Sequence, residues 1–372
     1  MKAKDILLDE ETLFRSEEVF TPNYVPDDFM HRDDQLKELS LSMKPGLRGV
    51  NPINTLVHGP PGTGKTTAVK CLFKEVSEVS GKLVTVYVNC EDNSTRFNIF
   101  AKIHEVVLGH SPPDTGKPLN SIKEKVFKKL QKEGKSLVIA LDEMDQLFLN
   151  NTVDQLLMDL LKAHTTYGYD KIGVIGIMIE DKYLAQLDQK TKSIFNPTRV
   201  FFPPYTSKEA HEILSNRVKY GLYDGVISDE ILDDIVEKTV AHGDLRVGID
   251  LIRKSALLAE RDSAKKITAK HVEQAYSKES GMLEARKTID ALSGDEKKLL
   301  KVIVELNEQN SGRIYEKLKE ESGVGIRRYN EMIRKLEHYR LIDTVAVKGS
   351  RGQTRDIVLR HRADEIAGLL KE

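Results

Sequence analysis

The chain has only two cysteines, Cys71 and Cys90, in 372 residues. One lies in a helix-like context and the other at a strand end, so they give neither a disulfide framework nor metal-ligand spacing. A reducing cytoplasm is the expected setting. No apolar run is long enough to span a membrane. Met1 to Glu18 lacks the basic-then-apolar pattern of a signal peptide, so no membrane partner is expected. An excess of either charge is missing too. The 57 Lys and Arg face 58 Asp and Glu, for a formal net charge of −1. Any contact with a polyanion must come from local patches and not from a whole-molecule field. The histidines are scattered and read as surface or packing groups. What remains is a globular composition, 40% hydrophobic and 31% charged, of a length that suggests two or three domains.

Against that background one segment carries chemistry. Residues 59–66 read Gly59-Pro60-Pro61-Gly62-Thr63-Gly64-Lys65-Thr66, followed by Thr67. This phosphate-loop pattern sits between an apolar stretch, Ile53 to Val57, and a helix-like run, Lys65 to Val79. Loop glycines let backbone N–H groups turn inward on phosphate, and the helix N-terminus adds a favourable dipole. Lys65 is expected to reach the β- and γ-phosphates and the Thr66 hydroxyl to hold Mg²⁺. The partner motif lies downstream. Ser136 to Leu141 is a β-prone apolar run ending in Asp142-Glu143, which would deliver two carboxylates beyond the carboxyl end of a buried strand. Asp142 would orient the Mg²⁺ shell and Glu143 would take a proton from the attacking water.

The rest of the chain supplies an organisation. Residues 1–25 read as an acidic arm with a short apolar anchor (Leu13, Phe14, Val19 and Phe20). A nucleotide-binding base follows over 26–204, with a helix from Arg32 to Ser42. Strands are expected at 53–58, 83–88, 136–141, 172–178 and 198–202, alternating with helices, which implies an α/β class with a mainly parallel sheet. His110 to Pro118 reads as a loop. After Pro203-Pro204 the pattern becomes all-helical over 205–284, with a capping box at Thr206 and Glu209 and N-caps at Ser228 and Thr268.

Residues 285–372 read helix, helix, helix, hairpin. Ser293 and Glu296 form another capping pattern. A second helix spans about Gly312 to Glu320. A third begins near Gly325, with Ile326, Tyr329, Met332, Ile333, Leu336 and Tyr339 inward. A hairpin tip is expected at Gly349-Ser350-Arg351-Gly352. This is a winged-helix plan. Between 325 and 360 there are nine Lys/Arg against four Asp/Glu. Arg327, Arg328, Arg334, Lys348, Arg351 and Arg355 are the expected contacts to duplex DNA.

A phosphate-loop domain, a helical lid and a winged helix, in that order, resemble the archaeal replication initiators of the origin-recognition and cell-division-control type, which are AAA+ ATPases. Tyr24-Val25-Pro26 with His31-Arg32 is similar to the family segment that lies beside the adenine. Leu137 to Asp145 is similar to its Walker B strand. Val200-Phe201-Phe202-Pro203-Pro204-Tyr205 is similar to the strand leading into its lid. Gly243-Asp244-Leu245-Arg246 is similar to the lid motif whose arginine touches the γ-phosphate. The resemblance implies ATP or ADP with Mg²⁺, and Val25, Arg32, Tyr205 and Arg246 around the nucleotide. It implies origin duplex DNA, the minichromosome maintenance helicase and a second initiator paralogue as partners, and a nucleoid-associated place in the cytoplasm. It also implies a DNA-contacting helix within 91–118, with Arg96 and Lys102 as phosphate contacts.

Two positions depart from the family pattern. Ile179 stands where an asparagine orients the attacking water, with Glu180 there instead if the register slips by one, and Lys190 stands where an arginine acts on a neighbouring subunit's nucleotide. Lysine lacks the planar fork that grips phosphate bidentately. Together they imply slow hydrolysis and a nucleotide used as a switch. Two other readings share the domain order: a branch-migration DNA motor, and a nucleotide-gated regulator whose winged helix binds a promoter or a protein.

Overall fold

A computed structural model describes residues 12–112, 118–279, 288–289, 291–306, 310–339, 341–349, 352–360 and 363–370. The chain divides into two compact units, Met1–Thr268 and Ala269–Glu372. Among the described residues no helix is long and apolar enough to cross a membrane.

The first unit begins its α/β part with α1 (Asp33–Leu47), β1 (Thr55–His58), α2 (Lys65–Val79), β2 (Leu83–Asn89), α3 (Arg96–Leu108) and α4 (Leu119–Glu133). It continues with β3 (Ser136–Asp142), α5 (Asp145–Leu149), α6 (Val153–Leu161), α7 (Ala163–Tyr167), β4 (Ile172–Met178), α8 (Gln189–Phe195) and β5 (Thr198–Phe201). The strands form one parallel sheet in the order β2-β3-β4-β1-β5. β3 and β4 are buried over their whole length, as central strands covered on both faces must be.

Alternation along each strand sorts side chains between two cores. Leu137, Ile139 and Leu141 join the cluster built by α3, α4 and α6, where Phe100 and Phe127 meet edge to face. Val138 and Ala140 join the cluster of α1 and α2 on the other face. Each fully buried phenylalanine contributes about 2–3 kcal/mol by area burial.

β1 starts two residues later than the apolar run suggests. Ile53 is 48% exposed. Asn54 uses its side chain as a joint, accepting from Val174 N at 3.0 Å and donating to Phe195 O at 2.8 Å. α1 runs past Ser42 to Leu47 with Pro45 inside its last turn.

Three helices complete the first unit: α9 (Ser207–Gly221), α10 (Asp229–His242) and α11 (Leu245–Arg261). The capping box at Thr206 and Glu209 forms with both of its bonds, and Ser228 stands at the start of α10 without a side-chain bond. The described part of the N-terminal arm docks on these helices. Phe14 bridges to Leu222, Arg15 N donates to Gly221 O at 2.9 Å, and Glu17 pairs with Arg253 at 2.8 Å. Phe14, Val19 and Phe20 are buried there, as the apolar anchor implies.

The second unit holds α12 (Ala269–Glu279), α13 (Gly294–Leu306), α14 (Ser311–Ser322), α15 (Ile326–His338), an antiparallel hairpin of β6 (Ile342–Gly349) and β7 (Gly352–Leu359), and α16 (Ala363–Leu369). Three helices, a hairpin and a core of Leu299, Ile303, Ile314, Leu318, Tyr329, Met332 and Leu336 make the winged-helix plan. Two expected core residues are not in it. Ile326 and Tyr339 are 53% and 38% exposed. They lie in the first turn of α15 and just past its last, beyond the packed stripe of Tyr329, Met332, Ile333 and Leu336.

Candidate nucleotide site and nucleic-acid interface

The phosphate loop leaves β1 at His58 and is tied to the end of β4, where Gly59 N donates to Ile179 O at 3.1 Å. Gly62 and Gly64 hold φ of 67° and 89°, in the left-handed region that an L side chain rarely adopts. Thr63 Oγ1 braces the loop from inside by donating to Pro60 O at 2.9 Å. α2 starts at once, with Gly64 as its N-cap, so its first amides face the loop. Lys65 Nζ donates to Gly59 O and Pro60 O, both at 2.7 Å. Burial holds this ammonium below the usual lysine range.

Opposite Thr66 stands Asp142, at the end of β3. Thr66 Oγ1 donates to Asp142 Oδ2 at 2.6 Å, and Glu143 N donates to Oδ1 at 3.0 Å. A hydroxyl and a carboxylate at this spacing are hard oxygen donors, which fit Mg²⁺ completed by phosphate and water. Among the described residues no three His, Cys, Asp or Glu side chains gather as a metal cluster. Held by Thr66 and Asp142, Mg²⁺ would supply positive charge to offset that of bound phosphate.

Glu143 holds φ of 52°. Burial, and after it a hydrogen bond with Glu91, pushes its carboxyl up to about 7. That range suits a general base. The sequence reading missed Glu91, which follows β2 and meets Glu143 only because β2 and β3 are neighbours.

The lid closes the site from the other side. Asp244 caps α11 by accepting from Arg246 N at 2.9 Å, and takes the Arg246 guanidinium on both oxygens, with Nη2 to Oδ2 at 2.7 Å. The Arg246 side chain stays 69% exposed. Arg32 is 2% exposed and brackets three segments. Its Nε donates to Thr63 O at 3.1 Å, Nη1 to His31 O at 2.9 Å and Nη2 to Pro203 O at 2.7 Å. Its guanidinium lies 3.7 Å from the centre of the Tyr205 ring. A Cβ on Gly64 would stand 2.6 Å from Tyr205 Oη and 3.0 Å from Phe29, so both rings flank the loop. Phe29 carried no motif signal. Val25 is half-buried. Its neighbour Pro26 lies beside α2, with its carbonyl 3.7 Å from Cys71 Sγ.

The two residues expected to depart from the family pattern each have a definite place. Ile179 is 46% exposed at the mouth of the loop. Glu180 turns away to pair with Lys182. Lys190 is exposed in the first turn of α8.

On the nucleic-acid side, Arg327 is 95% exposed and 3.5 Å from Glu331, and Arg328 is 3.9 Å from Asp295. Arg334 and Arg355 are exposed. Lys348 lies on β6. Arg351 lies outside the described residues. Two basic groups counted in the local excess are engaged elsewhere: Lys335 pairs with Glu296 at 2.9 Å and Arg360 with Asp343 at 2.6 Å. Arg96, expected to meet DNA phosphate, instead donates to Asp159 and Gln155, and Asp159 also takes the buried Lys123 at 2.9 Å. The guanidinium is thus held by α6 in an internal ion-pair network. Lys102 pairs with Glu105 on its own helix at 2.8 Å.

The parallel sheet, the phosphate loop with its opposed carboxylates and the arginine-bearing lid define an AAA+ P-loop ATPase fold. The family model for the AAA ATPase domain matches residues 28–169, and that for the Cdc6 AAA+ ATPase-type lid domain matches residues 211–277. The chain is 40% identical over 373 residues to ORC1-type DNA replication protein 2 of Methanosarcina mazei, covering 100% of each. It is 38% identical over 365 residues to ORC1-type DNA replication protein 2 of Methanothermobacter thermautotrophicus, covering 98% of this chain and 96% of that one. The Aeropyrum pernix ORC1 protein, solved in complex with DNA, superposes with a TM-score of 0.68 at 26% identity, covering 97% of both chains. The chain belongs to the ORC1/Cdc6 family of archaeal DNA replication proteins.

Proposed function

We propose that this chain is an ATP-dependent initiator of DNA replication. It binds origin duplex DNA through its winged helix and helps to recruit or load the replicative minichromosome maintenance helicase, alone or with a second initiator paralogue. Nucleotide is its switch. Membership in the family supports replication as the setting, and the chemistry of the loop supports ATP and Mg²⁺ as the ligands. Arg32, Tyr205 and Phe29 flank the loop, which supports assigning them, with Val25, to the base, and Lys65, Thr66, Thr67 and Arg246 to the phosphates.

One observation carries the switch. Asp244 touches the phosphate loop at Gly62 and also holds Arg246. A γ-phosphate in that loop competes with the Asp244 carboxylate for the arginine, so triphosphate and diphosphate leave the lid with different partners. Arg246 then grips phosphate with two donors in place of an aspartate.

Hydrolysis is slow in this reading. Glu143 takes the proton of the attacking water, yet the Ile179 side chain has no polar atom to orient that water. Lys190 offers a point charge where a planar fork would grip, and a trans-acting arginine is worth about 10³–10⁵ in rate. Single-turnover hydrolysis on the full chain tests this. The expected rate is far below the roughly 1 s⁻¹ that marks the low end of ordinary enzymes. A rate at or above that value contradicts the switch and favours a motor.

A further inference from the structure

We propose that Tyr87 is a positioning residue for magnesium, acting through Asp142; this rests on reading the loop as an ATP·Mg²⁺ site. Tyr87 lies on β2, opposite Ala140 of β3 and two residues before the pair Asn89↔Asp142. Two residues along a strand returns to the same face, so the Tyr87 side chain runs beside the Asp142 carboxylate. Its hydroxyl donates to Asp142 Oδ2 at 2.7 Å, onto the same oxygen that Thr66 reaches at 2.6 Å.

Glu143 N holds the other oxygen at 3.0 Å. Three donors from three segments thus fix a carboxylate whose two oxygens offer about four acceptor positions. Neither its position nor its rotation is left to chance.

The ring itself is held from above. Lys70 Nζ lies 4.6 Å from the ring centre. Lys70 is four residues after Thr66, on the same face of α2. One helix face therefore carries both the hydroxyl expected at the metal and the cation that seats the ring behind it.

The consequence is chemical. With Oδ2 accepting from Thr66, the Thr66 oxygen keeps its lone pairs for Mg²⁺. The bond from Tyr87 keeps Oδ2 in place and lowers its basicity. Without it, Asp142 turns about its Cβ–Cγ bond and the Thr66 hydroxyl loses its fixed direction. A partner of a metal-shell residue typically changes metal affinity by about 10–100-fold.

The test is Tyr87→Phe in the full chain, which keeps the ring under Lys70 and removes one oxygen. Binding of a fluorescent ADP is followed as Mg²⁺ is titrated, and again in EDTA, with thermal melting alongside. The expected result is about a tenfold rise in the half-saturating Mg²⁺, with metal-free ADP affinity unchanged and a single cooperative melting transition retained. An identical Mg²⁺ dependence overturns the proposal. So does an equal loss of affinity with and without metal, or an unfolded variant, because either assigns the hydroxyl to the fold. If the unmodified chain binds nucleotide with no dependence on Mg²⁺, the underlying reading of the site falls instead.

Discussion

Asp244 of the lid lies directly on Gly62 of the phosphate loop: a Cβ built on Gly62 would stand 1.9 Å from Asp244 Oδ1. The contact requires glycine twice, for space and for a φ of 67°. It also brings a negative group to a loop made for phosphate. That carboxylate is tolerable there because it caps α11 and is neutralised by Arg246.

Replacing Arg246 with Ala separates binding from closure. Lys65, Thr66 and the loop amides remain, so ADP affinity is expected to change by less than about threefold. ATP is expected to lose its advantage over ADP, by about 1.5–3 kcal/mol for a bond to a charged group. Isothermal titration with ADP and with a non-hydrolysable ATP analogue measures both. Equal losses for the two nucleotides would remove Arg246 from the γ-phosphate.

The pH dependence of hydrolysis follows from Glu143. Only its deprotonated form accepts the water's proton, and burial first, then Glu91, pushes its carboxyl above the usual carboxylate range to about 7. The rate is therefore expected to be suppressed below pH about 6 and to rise through about 7 to a plateau. Glu91 contributes to the shift, after burial, by its hydrogen bond and its charge. Replacing Glu91 with Gln should move the midpoint towards lower pH. A profile flat from about pH 5 upward would show that Glu143 is not the base.

Local patterns make much of this legible in the sequence. The loop and the five strands are runs in which each residue's neighbours in sequence decide its conformation. What escaped depends on strand order and long-range pairing. Tyr87 and Glu91 meet Asp142 and Glu143 because β2 lies against β3, and nothing local announces that. Arg96 reads as a free cation in a loop-to-helix segment, yet its partner Asp159 is 63 residues away. Arg32 reads as a ligand contact, while the fold uses its guanidinium to tie the loop to the strand that leads into the lid. Phe29 is one apolar residue among many until Gly64 is seen beside it.

The winged helix predicts two different kinds of loss. Arg327, 95% exposed on α15, is the base-reading residue of the proposed function. Arg327→Ala should relax sequence preference at one position by about 1–3 kcal/mol. Arg355, exposed on β7, is a phosphate contact of the proposed function. Arg355→Ala should weaken all duplexes alike and reduce the slope of log affinity against log salt by about one. Anisotropy titrations with origin and scrambled duplexes at several salt concentrations separate the two. If neither variant alters duplex affinity, the winged helix serves a different partner.

In the proposed function, triphosphate redirects Arg246 and closes the lid on the base. The two native cysteines are buried, so spin labels can be placed at Lys37→Cys on α1 and Glu237→Cys on α10, both exposed. The distance between them, measured by pulsed electron resonance, should be shorter and narrower with a non-hydrolysable ATP analogue and Mg²⁺ than with ADP. The Lys65→Ala variant should show no such difference. The same distribution in every nucleotide state of the unmodified chain would contradict the account.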